Sequence, residues 1–261
     1  AEQIQSLIVD IEKNKEKKDK FAVFKYKGAQ EEISRLYDLL GTKYIRQNRL
    51  QNALAAFEKT GNQYWSRAYT AWEDHYNILD KNPFYQLKYT PKFIETKDTI
   101  RLNKYTITKQ LISYLQKAEN KHEKDRDYFY FLVANAYYNM GSEGNVWMMR
   151  RISGWSKYSP SVIEDEAEFH QSNFAKKYYL LAKKHAKTDK FKALCLRMVV
   201  RCQKNKMQHK YFRDENYYNN DYDSLLFTNR YYSQLQEKHH DYFDDLVSNC
   251  DNFKAYFDAR R

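Results

Sequence analysis

One segment of this chain combines tryptophan and arginine in a way that could bind a ligand. Trp147, Arg150, Arg151 and Trp155 all lie within nine residues. Indole rings stack on flat ligands, and guanidinium groups bind carboxylates or phosphates through paired hydrogen bonds. The segment could therefore clamp an anionic or sugar-like ligand. The alternative is that Trp147 and Met148 anchor the segment to the surrounding helices.

A second segment, between Lys176 and Lys210, concentrates positive charge. It contains 12 Lys and Arg residues and one acidic residue, Asp189, an excess equal to the net charge of +11 of the whole chain. We predict a basic patch that consists of Lys176, Lys177, Lys183, Lys184, Lys187, Arg197, Arg201 and Lys204. Such a patch could bind a nucleic acid, a glycan or an acidic protein segment, and the alternative is a solvated helix face. The nearby tyrosines have core-like spacing, which disfavours nucleic acid.

Histidines and carboxylates form only short pairs in the sequence. Glu166 and His170 are four residues apart and could face one another on a helix, which is usually a surface contact. His239 and His240 are adjacent, so on a helix they point about 100° apart and do not easily share a metal ion. We therefore predict no metal site and no cofactor. Because no catalytic motif is visible, we also predict that the chain is not an enzyme.

The composition favours helices. Gly (6) and Pro (3) are scarce among 261 residues, which argues against folds that need many turn glycines. Cys195 and Cys202 are seven residues apart, roughly 10 Å along one helix, too far for a disulfide. We expect buried or idle thiols. No apolar run approaches the length of a membrane-spanning helix.

A repeat pattern organises the chain. It is clearest at Tyr37, Leu40, Gly41, Tyr44, Ala53 and Phe57. This spacing resembles the tetratricopeptide repeat (TPR), in which a small residue of the first helix allows close approach of the second. A second copy places Asn135 and Tyr138 at the positions of Gly41 and Tyr44. Its partner helix carries Tyr179 and follows a long insertion.

The resemblance implies an all-α fold of antiparallel helix pairs stacked in a right-handed superhelix with one long insertion. We predict a single domain over 1–261. Its parts are a capping helix at 1–27, the best repeat at 30–60, a second repeat at 127–187 with the insertion at 141–170, and C-terminal helices at 189–257. Further helices are expected at about 64–80 and 98–119, and a polar loop at 212–224.

A narrower resemblance concerns residues 132–140 and 144–149. These segments are similar to part of large uncharacterised TPR-like proteins from Gram-negative bacteria of the Bacteroidota kind. The resemblance implies a C-terminal fragment of an exported protein, periplasmic or attached to the cell surface. It implies no activity.

The repeat register predicts a protein-binding groove. In TPR-like arrays the first helices of the pairs line the concave face, where a peptide can be held by side-chain contacts. The residues expected to face this groove are Asp38, Thr42, Ile45, Arg46, Phe129, Asn139, Lys192 and Leu196. We therefore expect a protein–protein interaction scaffold. Two alternatives remain: a module that binds an anionic polymer through the basic patch, and an enzyme with a site near the insertion.

Overall fold

The computed structural model describes residues 1–16, 21, 29–62, 79, 81–85, 102–152, 163–211 and 229–240, with the backbone alone at 29–31. Within these residues all regular structure is helical, which confirms the all-α prediction. The helices are α1 (Glu2–Asn14), α2 (Ala29–Arg46), α3 (Leu50–Thr60), α4 (Lys104–Glu119), α5 (Arg126–Asn139), α6 (Glu166–Gln171), α7 (Asn173–His185), α8 (Asp189–Tyr211) and α9 (Arg230–Lys238). A single 3₁₀ turn covers Trp147–Met149.

The helix bounds agree with the sequence-based expectation in the first repeat, whereas the predicted capping helix at 1–27 is corrected, because α1 ends at Asn14. α2 and α3 match the predicted pair at 30–60. α8 begins at Asp189, where the predicted C-terminal helices begin, and ends at Tyr211. α9, within the predicted C-terminal helices, begins at Arg230, where the Asn229 side chain caps it by accepting a hydrogen bond from the Tyr231 amide.

Several expectations lie outside the described residues. These are the helix at 64–80, most of 17–28, the start of the helix expected at 98, the middle of the insertion at 153–162, the loop at 212–224 and the last helix at 241–257. In the part of the chain that the structure describes, no helix is both long and apolar enough to cross a membrane.

The described residues divide into two compact units. The first contains α1, α2, α3, residues 102–109 and residues 148–152. Here α2 packs on both α1 and α3. A Cβ atom added at Gly41 would overlap the Phe57 ring, so only glycine permits this approach of α2 and α3. The predicted roles of Gly41 and Phe57 are thereby confirmed.

A charged pair lies in the interior of the first unit. Lys104 is fully buried, and its Nζ lies 2.9 Å from Asp38 Oδ1 and 2.8 Å from Thr42 Oγ1. Burial lowers the pKa of Lys104, and the Asp38 carboxylate opposes that shift. A buried ammonium needs such partners because its desolvation is costly.

The second unit contains residues 81–85, 110–147, 163–211 and 229–240. Its central helix pair is α5 and α7, and α8 packs on α6, α7 and α9. Tyr179 Oη donates a hydrogen bond to Asn135 Oδ1 at 2.7 Å. The amide of the Asn135 side chain in turn donates to the Phe84 carbonyl at 2.7 Å. These buried bonds join two helices to the segment 81–85.

Candidate functional site

The most distinctive surface of the second unit is a basic face built by α7, α8 and α9. α7 buries Ala175, Tyr178, Tyr179 and Ala182 against its neighbours. Lys176 and Lys183 are seven residues, or about two helical turns, apart. They therefore lie on the same side of α7, at the edge of that buried stripe. We define the basic face as Lys176, Lys183, Lys192, Arg230, Lys238 and His239.

Tyr231 is the centre of one end of the basic face. The Lys176 ammonium lies 4.7 Å from the centroid of its ring, and the Arg230 guanidinium lies 4.8 Å away. Arg230 also donates a hydrogen bond of 2.9 Å to the Tyr231 hydroxyl. Lys176 donates to Gln203 on α8 at 2.6 Å. Both cations are thus held in place by an aromatic ring and a hydrogen bond.

These side chains surround a small cavity of about 290 Å³, lined by Lys176, Gln203, Met207, Asn229, Arg230 and Tyr231. Asn229 fixes the position of α9, because its side chain caps the helix and donates to the Val200 carbonyl at 3.3 Å. The cavity is therefore lined by side chains of α7, α8 and α9 together with Asn229, and two of these side chains are cations.

The pKa shifts on the basic face have two causes, burial first and then the charges and hydrogen bonds of neighbouring cations. Burial alone would raise the pKa of Tyr231, but the Arg230 hydrogen bond and the charge of Lys176 outweigh it, so that pKa is lowered. Burial and the nearby Lys238 ammonium lower the pKa of Lys183. Where neighbouring cations contribute to lowering the pKa of a lysine, the local electrostatic potential is positive. An anion would be stabilised at such a position.

The far end of the face shows the same effect at His239. Burial, followed by the charges of Lys183, Lys192 and Lys238, lowers the pKa of His239, whereas Asp189 opposes the shift. Asp189 itself lies 2.9 Å from Lys192 Nζ. Among the described residues, Asp189 therefore offsets part of the positive charge at this end.

The basic patch predicted from the sequence is present in part. Lys177, Lys184 and Lys204 are exposed, and Lys176, Lys183 and Arg201 are half-buried. Lys187 lies 3.4 Å from Asp125. Arg197 is buried, with 6% of its surface exposed, so its assignment to a surface patch was wrong. Arg230, Lys238 and His239 could not be assigned to the basic patch from the sequence, because they lie beyond the charged segment and reach it only through the packing of α9 on α8.

The groove residues predicted from the repeat register are largely interior. Asp38, Thr42, Ile45, Asn139 and Leu196 are all buried, with at most 2% of each exposed. The expectation that they line an open groove is therefore corrected: Asp38 and Thr42 hold Lys104, and Asn139 donates to the Pro83 carbonyl at 2.7 Å. Arg46, Phe129 and Lys192 are half-buried.

The concave surface of the first unit lies on a different face of α2. A cavity of about 420 Å³ is lined by Gln5, Ile8, Val9, Glu12, Tyr37, Leu40, Tyr44, Asn52, Ala55, Ala56 and Lys59. Tyr37, Leu40 and Tyr44 line this cavity from α2, on the helix face that the repeat pattern predicts to be packed. Gln5 and Glu12 of α1 hydrogen-bond the Tyr44 and Tyr37 hydroxyls, at 2.9 and 3.2 Å.

The proposed Trp–Arg clamp includes residues of both units and one residue outside the part of the chain that the structure describes. Arg150 and Arg151 are buried, with 1% and 4% exposed, and belong to the first unit. Trp147 is half-buried and belongs to the second unit. Trp155 lies outside the described residues. The clamp stays a prediction.

Glu166 and His170 do face one another, as their spacing predicted, but they are buried rather than on the surface. His170 Nε2 lies 3.2 Å from Glu166 Oε1, and His209 of α8 stacks on His170. Sequence spacing could not find His209, since it joins the pair only through the packing of α6 on α8.

Comparison with known proteins adds no relative. No protein-family model matches the chain. No curated protein matches it significantly. No solved structure matches it significantly either. Functional interpretation therefore rests on the geometry of the basic face and on the two helix pairs.

Proposed function

We propose that this chain is a non-catalytic binding module that holds an acidic segment of a partner protein on the basic face. The observation that carries the proposal is the convergence of Lys176 and Arg230 on one cavity beside Tyr231. An acidic side chain entering this cavity would meet two cations that are already held in position. Pre-positioned cations bind an anion at a smaller entropic cost than mobile ones.

The proposed scaffold is a TPR-like array of helix pairs. Its support is that the positions equivalent by sequence make equivalent contacts: Gly41 meets Phe57 between α2 and α3, and Asn135 meets Tyr179 between α5 and α7. Arrays of this kind commonly serve as surfaces for peptides and proteins. The right-handed stacking of the pairs is part of the proposal.

An acidic peptide fits this face better than a nucleic acid does. Single-stranded nucleic acids bind through exposed aromatic rings on which bases stack. Tyr231 cannot serve in this way, because it is only 9% exposed and cations lie against its ring. A cavity of about 290 Å³ has room for one or two carboxylate side chains, and Arg230 can bind a carboxylate through two parallel hydrogen bonds.

The test is the binding of fluorescent peptides that contain several Asp and Glu residues, followed by fluorescence anisotropy across a salt series. We expect affinity for acidic peptides to fall steeply with added salt, and neutral peptides of the same length not to bind. Salt-insensitive binding of the neutral peptides would contradict the proposal. Tighter binding of single-stranded oligonucleotides than of any acidic peptide would favour the nucleic-acid alternative instead.

A further inference from the structure

A cluster of two imidazoles and one carboxylate lies between α6 and α8. Glu166, His170 and His209 each offer a ligand atom, and these atoms all lie within 4.8 Å of one another. Glu166 and His170 are buried, with 9% and 7% exposed. Imidazole nitrogen and carboxylate oxygen are the ligand atoms that zinc and neighbouring divalent metals use in proteins.

Two helices bring these residues together. Glu166 and His170 are one turn apart on α6, so their side chains meet on one face, with 3.2 Å between Glu166 Oε1 and His170 Nε2. His209 comes from the last turns of α8, and its ring lies 5.0 Å from the His170 ring at an angle of 11°. The cluster therefore depends on the tertiary fold.

The surroundings hold this cluster in place. α6 is anchored at Phe169, whose carbonyl accepts a hydrogen bond of 2.9 Å from the Ser142 amide. At the junction of α6 and α7, the Glu168 carboxylate accepts bonds of 3.0 Å from the amides of both Asn173 and Phe174. A site supported by fixed backbone binds metal more tightly than one on a mobile loop.

A neighbouring amide contacts the third residue of the cluster, His209. The Gln171 side-chain amide lies 3.0 Å from Nδ1 of His209. In metal sites the second ring nitrogen of a ligating histidine commonly carries the proton and donates it to an acceptor, which fixes the tautomer of the ring. An amide nitrogen only donates, so Nδ1 of His209 accepts this bond, and ligation through Nε2 would require the Gln171 amide to turn so that its oxygen accepts from Nδ1–H.

We propose that Glu166, His170 and His209 form a binding site for a zinc-like divalent transition metal ion. Bonds of 2.0–2.1 Å in tetrahedral geometry place neighbouring ligand atoms roughly 3.3 Å apart. The Glu166–His170 pair already has this separation, at 3.2 Å. Binding requires the His209 ring to turn out of its stack on His170. Three protein ligands leave the fourth position to water.

The ligand set also selects among metals. Two imidazoles favour zinc and the later first-row ions, whereas calcium and magnesium prefer sites built entirely from oxygen atoms. The proposal is independent of the function proposed for the basic face, because it uses none of the residues of that face.

Isothermal titration of the tag-free, chelator-treated chain with zinc chloride tests this site. We expect one equivalent of zinc to bind, and an excess of magnesium not to compete. His209→Ala and Glu166→Gln should each weaken binding at least about tenfold. His122→Ala, at an exposed histidine outside the cluster, is the matched control and should bind as the wild type does.

A second readout separates loss of ligand from loss of fold. Cobalt(II) bound to nitrogen and oxygen ligands in a tetrahedral site gives visible absorption bands, which should appear in the wild type and in His122→Ala and be lost in His209→Gln. Circular dichroism must show that the His209 variants keep their helices. Absence of zinc binding by the wild type, or unchanged binding in folded His209→Ala, would overturn the proposal.

Discussion

Tyr179 Oη donates a hydrogen bond of 2.7 Å to Asn135 Oδ1, and the repeat register predicted from the sequence aligns these residues with Phe57 and Gly41 of the first helix pair. The two pairs achieve close packing by different means. In the first, the absence of a side chain at Gly41 admits the Phe57 ring. In the second, a buried hydrogen bond joins the two helices. Because the two contacts differ in kind, the packing of each helix pair can be tested by its own substitutions.

Tyr179→Phe should destabilise the protein by about 1–3 kcal/mol, because it removes the donor to the buried Asn135 oxygen. Burial raises the pKa of Tyr179 well above its usual value, so the hydroxyl keeps its proton and acts as the donor at all ordinary pH values. Urea unfolding measures the effect. Tyr178→Phe, at the next residue of α7, removes a hydroxyl outside this network and is the control. Equal stability of the two variants would be inconsistent with the network.

Gly41→Ala should destabilise the first helix pair by about 1–3 kcal/mol, since the added methyl group overlaps the Phe57 ring. The sign is diagnostic, because Gly→Ala inside an exposed helix normally stabilises by about 1 kcal/mol. Thermal unfolding of Gly41→Ala, Phe57→Leu and the double variant forms a cycle. A smaller side chain at position 57 should make the alanine less harmful, and strictly additive losses would argue against direct contact.

Asp38→Asn should cost about 3–5 kcal/mol, because the buried Lys104 ammonium loses the carboxylate that lies 2.9 Å from it. Replacing both charges, in Asp38→Leu with Lys104→Met, should restore most of that stability, since no charge is then buried. The measurement is the free energy of unfolding of the two variants, obtained by chemical denaturation. A double variant less stable than Asp38→Asn would show that the pair stabilises the fold beyond compensating its own burial.

Cys195 and Cys202 should resist thiol reagents in the folded protein. Both are buried, and burial raises the pKa of the Cys202 thiol, so little reactive thiolate forms. In a Cys250→Ser background, labelling with Ellman's reagent should proceed only as the protein unfolds in denaturant. Rapid labelling of two thiols without denaturant would contradict the packing of α7 and α8.

The sequence predicted features that depend on local spacing. Gly41 and Phe57 belong to a repeat whose contacts lie within about twenty residues, so the packing of α2 on α3 could be deduced. Lys176 and Lys183 were found because charge accumulates along one segment. The burial of Cys195 and Cys202 followed from their type and helical spacing.

The features that sequence analysis missed depend on tertiary packing. Arg230 joins Lys176 because α9 packs on α8, and His209 joins His170 because α6 does. Asp38 was expected in an open groove. Its side chain instead contacts the buried Lys104, which lies more than sixty positions further along the chain. Residues in such contacts are far apart in the sequence. The length of the intervening segment does not determine which of them come into contact in the folded protein.

The central claim concerns the basic face, and charge reversal at its cavity tests it most directly. The measurement is the dissociation constant of a fluorescent acidic peptide for the wild type, for Lys176→Glu/Arg230→Glu, and for Lys121→Glu/Lys124→Glu. The last variant changes two exposed lysines outside the face, so both variants lower the net charge by the same amount. We predict at least about a tenfold loss of affinity for the first variant and little change for the second. Equal losses in the two variants would show that net charge alone attracts the peptide, and would contradict a specific site at Lys176 and Arg230.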